Sequence, residues 1–191
     1  MPTSRPEHLS LLCLYVLELK PRSILDVGVG FGSKGVLFRE YTDLTRLLHG
    51  TAGYDKSTWK IRIDGVEANA HYLTELHAYI YDNMYVGDIV DIVDDLPNYD
   101  LIYLGDIIEH FLKPDGERLL DKLKCMAKTI IIATPYKVTP NYGATNTYEK
   151  HRSQWGASDF PDSVLSRFGN KLLIKISKGL PRAREEKQDA N

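Results

Sequence analysis

Three glycines at alternate positions directly follow the first short apolar run, and this feature constrains the fold more than any other. Residues 24–27 carry three apolar β-forming side chains, as in a buried parallel strand. Gly28, Gly30 and Gly32 come next, where the backbone can turn tightly or approach a ligand closely. Residues 34–48 then have apolar side chains at helical spacing. A glycine turn between a strand and a helix N-terminus predicts a site for a small ligand.

The spacing of the glycines distinguishes this loop from two common nucleotide-binding motifs. From Asp26 the sequence reads D-x-G-x-G-x-G, and Asp26 could accept hydrogen bonds from the turn amides or contact a bound cation. The dinucleotide pattern G-x-G-x-x-G would need a glycine at position 33, where this chain has Ser33. Lys34 does not follow a glycine at the spacing of a phosphate-binding loop. The pattern therefore disfavours a nicotinamide dinucleotide and a phosphate loop.

Length and charge limit the classes of protein and partner. With 191 residues, of which 43% are hydrophobic, the chain can fill one core, and we predict a single domain over residues 1–180. Residues 181–191 are highly charged and are predicted to form a disordered tail. A formal net charge of −2 gives no electrostatic reason to expect nucleic acid or a membrane as partner. No apolar run approaches the ~20 residues of a membrane-spanning helix.

Two cysteines bear on the cellular compartment. Cys13 and Cys125 both lie in apolar helical contexts. We predict buried, reduced thiols rather than a disulfide or a metal site, because unpaired cysteines commonly pack as small apolar side chains. Reduced cysteines fit a cytoplasmic protein.

The order of the elements predicts an α/β fold. A first helix is expected over residues 6–19, followed by strands alternating with helices or loops. The predicted strands cover residues 24–27, 61–67, 84–88, 101–104 and 129–134, a helix is predicted over 158–168, and a last strand over 171–177. This alternation predicts a doubly wound, mostly parallel Rossmann-like sheet of six or seven strands with helices on both faces. If the sheet has six strands rather than seven, a second subunit could cover its shortened edge, and the protein would be a homodimer.

Carboxylates follow two neighbouring predicted strands, where ligands of such sheets bind. Glu67 could accept hydrogen bonds from both hydroxyls of a ribose. Asp88 could accept one from the exocyclic amine of an adenine, with Ile89 packed on the ring. Either could instead be a solvated carboxylate at a strand end, but their successive positions favour a nucleoside site.

The chain resembles the class I S-adenosylmethionine-dependent methyltransferases over roughly residues 6–168. The similarity lies in residues 24–32, 66–67, 87–88 and 100–110. It implies S-adenosylmethionine as cofactor, with Asp26 and the three glycines beside the methionyl part, Glu67 at the ribose and Asp88 at the adenine. It also implies a direct in-line transfer from the sulfonium to an acceptor, in which the protein mainly aligns the reactants.

Candidate bases follow the fourth predicted strand. If a helix starts there, Asp106 and His110 are spaced i, i+4 and share a face near the cofactor's methyl group, joined by Glu109. His110 could accept the proton of the acceptor. The same residues could instead cap and orient the turn. His151 lies in an H-x-S-x-W stretch similar to those of related methyltransferases in the region that covers the acceptor, and is a second candidate.

Motifs that the sequence lacks limit the class of reaction and of acceptor. The candidate residues include metal-ligand types, but the H-x-x-E-H motif would need a histidine where the chain has Asp106, so the sequence predicts no metal. No N/D-P-P-Y motif follows the fourth strand, which argues against methylation of nucleic-acid bases.

Residues 141–150 are predicted to form a lid over the site. We expect methyl transfer to a small-molecule or glycan-like acceptor; the alternative is a non-catalytic protein that binds a nucleoside cofactor.

Overall fold

The computed structural model describes residues 6–44, 55–138 and 147–178, which form a seven-stranded sheet in the order β3-β2-β1-β4-β5-β7-β6. The strands are β1 (Ser23–Val27), β2 (Arg62–Glu67), β3 (Asn83–Val86), β4 (Tyr99–Gly105), β5 (Ala127–Pro135), β6 (Val164–Phe168) and β7 (Lys171–Ser177). Strands β1 to β5 are parallel, whereas β7 runs antiparallel to β5 and β6 antiparallel to β7. The strand order reverses between β1 and β4, which is where ligands bind in such sheets. The predicted doubly wound, mostly parallel sheet is confirmed, with seven strands.

Helices cover both faces of the sheet, as predicted. They are α1 (Leu9–Leu19), α2 (Ser33–Arg39), α3 (Glu75–Ile80), α4 (Ile89–Ile92) and α5 (Lys113–Met126). Neighbouring residues of a strand point to opposite faces. Ile102 of β4 therefore packs in one core with Leu119 of α5, and Leu101 packs in the other with Leu12 of α1. Within the described ranges, none of these helices has the length and hydrophobicity needed to cross a membrane.

The last part of the sheet corrects a prediction. Residues 158–168 were expected to form a helix, but residues 164–168 form β6 and pair with β7. The connection turns at Gly169, which has a φ of 56°, and such a tight turn allows β7 to fold back on β6. Pairing across this hairpin outweighs the local helical spacing. Because β6 completes the sheet, the expectation of a homodimer loses its basis in a shortened edge.

Two stretches with helix-breaking or acidic residues contain helical turns. Residues 113–116 include a proline and a glycine but form the first turn of α5, since Pro114 occupies a position whose N–H would have no helical partner. Residues 91–98 connect β3 to β4 through the end of α4 and a 3-10 turn at Val93–Asp95, and their three aspartates are exposed.

The cysteine prediction was also wrong in part, because Cys13 is half-buried and Cys125 is exposed. The predicted tail, residues 181–191, and residues 141–146 of the predicted lid lie outside the described residues.

Candidate functional site

A cavity of about 1020 Å³ lies at the C-terminal ends of the parallel strands. It is bordered by the ends of β1, β2, β4 and β5 and by the start of β7. Its lining contains most of the residues predicted from the sequence: Gly28, Gly30, Glu67, Asp88, Ile89, Asp106, His110 and His151. Asp26 and Gly32 are the predicted site residues that do not line it. Segments distant in sequence therefore meet where the strand order reverses.

Glu67 holds the glycine loop in place on one side of the cavity. Its Oε2 accepts a hydrogen bond from the Gly30 N–H at 3.0 Å, and its Oε1 accepts one from the Asn69 N–H at 3.0 Å. The Gly28 N–H donates to the Val66 carbonyl at 2.8 Å. Gly28 and Gly30 have φ values of 75° and 53°, which glycine adopts without strain. Since each carboxylate oxygen has two lone pairs, Glu67 can still accept hydrogen bonds from a ligand.

Asp26 and Gly32 flank this loop but do not line the cavity. Asp26 is buried, and its Oδ2 accepts a hydrogen bond from the Tyr81 hydroxyl at 2.6 Å rather than from the turn amides that we expected. Burial raises the pKa of Asp26 to about 6, although the hydrogen bond from Tyr81 acts against this. Gly32 precedes α2 with a φ of 88°, and a Cβ there would lie 3.4 Å from His77 Nε2. His77 Nε2 in turn lies 2.9 Å from the Gly30 carbonyl oxygen.

The raised pKa of Asp26 predicts a pH-dependent stability. The folded state holds this proton more tightly than the unfolded state, so the contribution of Asp26 to the free energy of unfolding falls as pH rises from about 4 to about 6. Asp26→Asn keeps an oxygen for Tyr81 and removes the titration. We therefore expect the stability of this variant relative to the parent to rise by up to about 3 kcal/mol between pH 4 and 7.

Urea unfolding of both proteins at several pH values would measure this difference, in which the titration of all other groups cancels. A difference that stays constant across this pH range would contradict the raised pKa.

Asp88 and Ile89 lie at the end of β3. Asp88 Oδ1 accepts a hydrogen bond from the Val90 N–H at 3.2 Å and so caps α4. Partial burial raises the pKa of Asp88. Ile89 is buried in the core while also bordering the cavity. These two residues thus form an edge of the cavity that is part carboxylate and part apolar.

On the opposite side, Asp106 does not share a helical face with His110. Asp106 has a φ of 56°, and a 3-10 turn starts only at Ile108. This departure from helical geometry at the strand end invalidates the predicted i, i+4 relation. Asp106 instead forms an ion pair with Lys171.

His110 and His151, the two candidate bases, lie next to each other in the structure. Their ring centroids lie 5.0 Å apart. His110 Nδ1 lies 3.2 Å from the Lys150 carbonyl oxygen. Burial and, to a smaller extent, the neighbouring His151 lower the pKa of His110, which favours a neutral imidazole.

Glu109 lies beneath the two histidines and is fully buried. Its Oε2 accepts a hydrogen bond from the Thr134 hydroxyl at 3.0 Å, whereas Oε1 has no partner among the described residues. Burial and the charge of Asp106 raise the pKa of Glu109 above its usual range. One possible ligand atom from each of Glu109, His110 and His151 lies within 4.8 Å of the others.

Lys171 and Thr134 belong to this site but were not predicted. Lys171 is the first residue of β7 and pairs in register with Pro135, the last residue of β5. An antiparallel strand beside β5 necessarily begins at the edge where the parallel strands end. The sequence signal was therefore available: the first residue of the predicted last strand, if that strand runs antiparallel to β5, lies at the edge where the parallel strands end.

Comparison with known proteins shows where this architecture recurs. No family model matches the sequence, and the search of curated proteins found no match. The methyltransferase domain of a bacterial Hen1 protein is 16% identical with a TM-score of 0.59, covering 91% of this chain and 98% of that one. An O-methyltransferase family protein from Burkholderia thailandensis is 16% identical with a TM-score of 0.57. The match covers 92% of this chain but only 58% of the Burkholderia protein.

A third similar structure contains a ligand. Magnesium protoporphyrin IX methyltransferase from Synechocystis PCC 6803, determined with bound SAH, is 10% identical with a TM-score of 0.58 over 87% of this chain and 80% of that one. At these identities the similarity establishes the fold alone. The resemblance to class I S-adenosylmethionine-dependent methyltransferases is thereby confirmed at the level of the fold.

Proposed function

We propose that this protein transfers a methyl group from S-adenosylmethionine to a small-molecule or glycan-like acceptor. The observation that carries the proposal is that two groups of candidate residues line the same cavity. Gly28, Gly30 and Glu67 lie on one side, and His110 and His151 on the other. The fold shared with methyltransferases supports the same assignment.

The proposed cofactor contacts follow the order of the strands. The glycine loop would face the methionyl part, Glu67 would accept hydrogen bonds from the ribose hydroxyls, and Asp88 with Ile89 would hold the adenine. Asp106, at the end of β4, would lie between cofactor and acceptor. Asp26 would act indirectly, because its hydrogen bond from the Tyr81 hydroxyl holds the end of β1 in place.

The chemistry requires alignment more than acid or base strength. A lone pair on the acceptor attacks the methyl carbon as the carbon–sulfur bond breaks, and the electron pair of that bond leaves with sulfur as S-adenosylhomocysteine. Holding donor and acceptor in line removes most of the entropic cost of the encounter. The acceptor's proton leaves during or after the transfer, and either His110, whose pKa is lowered by burial, or His151 could accept it.

The structure does not favour the non-catalytic alternative. An incomplete sheet at the C-terminal end would have favoured it, but β6 and β7 give the sheet seven strands. A nicotinamide-dependent reaction remains disfavoured by Ser33, which occupies the position of a dinucleotide glycine.

Transfer of label from methyl-labelled S-adenosylmethionine to a panel of hydroxylated small molecules and sugars would test the proposal. We expect labelled acceptor and an equal amount of S-adenosylhomocysteine, with neither formed without an acceptor. Binding of S-adenosylhomocysteine without turnover on any acceptor would favour the non-catalytic alternative.

A further inference from the structure

We propose that Glu109, His110 and His151 form a binding site for a divalent transition-metal ion on the acceptor side of the cavity. The sequence did not predict this site, because its ligands do not have the spacing of a helical metal motif. The structure assembles them from a 3-10 turn and a separate segment 40 residues later.

Hydrogen bonds to main-chain carbonyls hold the two segments together. The Glu109 carbonyl accepts from the Arg152 N–H at 2.8 Å and from the Ser153 N–H at 3.1 Å. The buried Trp155 Nε1 donates to the Ile108 carbonyl at 3.1 Å. These contacts place residues 109 and 110 directly against residue 151 without depending on any of the three proposed ligand atoms. The cluster is therefore built into the fold.

Glu109 offers an oxygen that the protein itself does not use. Its side chain has no exposed surface, and a buried polar atom without a partner is costly. Thr134 fixes one carboxylate oxygen, while the other, Oε1, has no hydrogen-bond partner among the described residues. A cation at the cluster would supply the missing partner for Oε1.

His110 makes a hydrogen bond of the kind that supports metal-binding histidines. Its Nδ1 faces the Lys150 carbonyl oxygen at 3.2 Å, and a carbonyl can only accept, so Nδ1 carries the proton. Nε2 then keeps the lone pair that binds a metal. Such a hydrogen bond from the second ring nitrogen to a carbonyl is the usual support of a histidine ligand.

The ligand types indicate the class of ion. Two imidazoles and one carboxylate suit zinc, iron, manganese or cobalt, whereas magnesium and calcium prefer oxygen ligands. The ligand atoms now lie within 4.8 Å of one another. Bonds of about 2.1 Å in a tetrahedral site would bring them to about 3.4 Å, so these side chains would draw inward on binding. Asp106 is not included, since it pairs with Lys171.

Three protein ligands leave coordination positions open toward the cavity, as in catalytic metal sites. An oxygen of the acceptor could occupy one of them. The ion would then replace His110 and His151 as the group that activates the acceptor, because a bound cation lowers the pKa of an oxygen that it ligates. That role rests on the proposed methyl transfer, whereas binding of the ion does not.

Tag-free protein, stripped with a chelator, would be titrated with Zn²⁺ by calorimetry and with Co²⁺ by visible absorption. We expect one ion per chain and cobalt bands typical of nitrogen ligation. His110→Ala and His151→Ala should each weaken Zn²⁺ binding by about 100-fold or more, and Glu109→Gln by about tenfold or more. His71→Ala is the matched control, since His71 is exposed and outside the cavity, and should bind like the parent.

Circular dichroism would establish that each variant is folded, and the Co²⁺ spectrum of the parent decides the case even if a variant is not. Absence of Zn²⁺ and Co²⁺ binding by the parent, or equal binding by parent and all three ligand variants, would overturn the proposal. S-adenosylhomocysteine titrated into the same samples separates the two proposals: its binding without metal binding would overturn the metal site alone.

Discussion

Glu67→Ala should weaken the binding of S-adenosylhomocysteine by at least about tenfold, or about 1.4 kcal/mol. Two effects combine in this variant. The proposed hydrogen bonds to the ribose are lost, and the Gly30 and Asn69 N–H groups lose the carboxylate that now accepts from both of them. The glycine loop would therefore be less well ordered for the cofactor. Calorimetric titration of the variant measures the dissociation constant directly.

Glu75→Ala provides the matched control, because Glu75 is an exposed glutamate on α3 outside the cavity. It should bind S-adenosylhomocysteine like the parent. An unchanged dissociation constant in Glu67→Ala would show that the assignment of Glu67 to the ribose is wrong.

Gly28→Ala should reduce both stability and cofactor affinity. Gly28 has a φ of 75°, a conformation that costs a residue with a Cβ about 1–2 kcal/mol. The added Cβ would also contact Ile107 Cδ1 and lie 2.8 Å from Ile107 Cγ1, so Ile107, which lines the cavity, must move. We expect a loss of about 1–3 kcal/mol in the free energy of unfolding and a loss of at least about tenfold in affinity for S-adenosylhomocysteine.

Gly169→Ala is a control that separates the cost of a positive φ from the effect of the contact with Ile107. Gly169 also has a positive φ, 56°, but a Cβ there would have no neighbour within 4 Å. It should lose stability through the backbone alone and keep its affinity for the cofactor. Equal losses of stability in the two variants, with full binding in both, would refute the proposed role of Gly28.

Much of the proposed cofactor side of the site could be predicted because its signals are local in sequence. A glycine turn and a carboxylate at a strand end are recognised from a few adjacent residues, and parallel strands bring such ends to one edge. Gly28, Gly30, Glu67 and Asp88 accordingly line one cavity. Their contacts with a cofactor stay a prediction.

The acceptor side was less predictable because it depends on pairing between distant segments. The register of β7 on β5 places Lys171 beside Asp106, and the sequence reveals this only if the last strand is taken to run antiparallel to β5. The hydrogen bonds of Glu109 to residues 152 and 153 bring His110 against His151 in the same way. The helical spacing assumed for Asp106 and His110 failed because Asp106 adopts a left-handed conformation. Tertiary pairing, rather than local preference, shapes this half of the cavity.

The measurement that tests the central claim most directly is calorimetric titration of the parent protein with S-adenosylmethionine, S-adenosylhomocysteine and a nicotinamide dinucleotide. We predict one site per chain for the first two ligands, with dissociation constants of about 1–100 μM, within the usual range for enzyme ligands. We predict no binding of the dinucleotide. Absence of binding for both sulfur nucleosides would contradict the account, because the glycine loop, Glu67 and Asp88 would then not form their site.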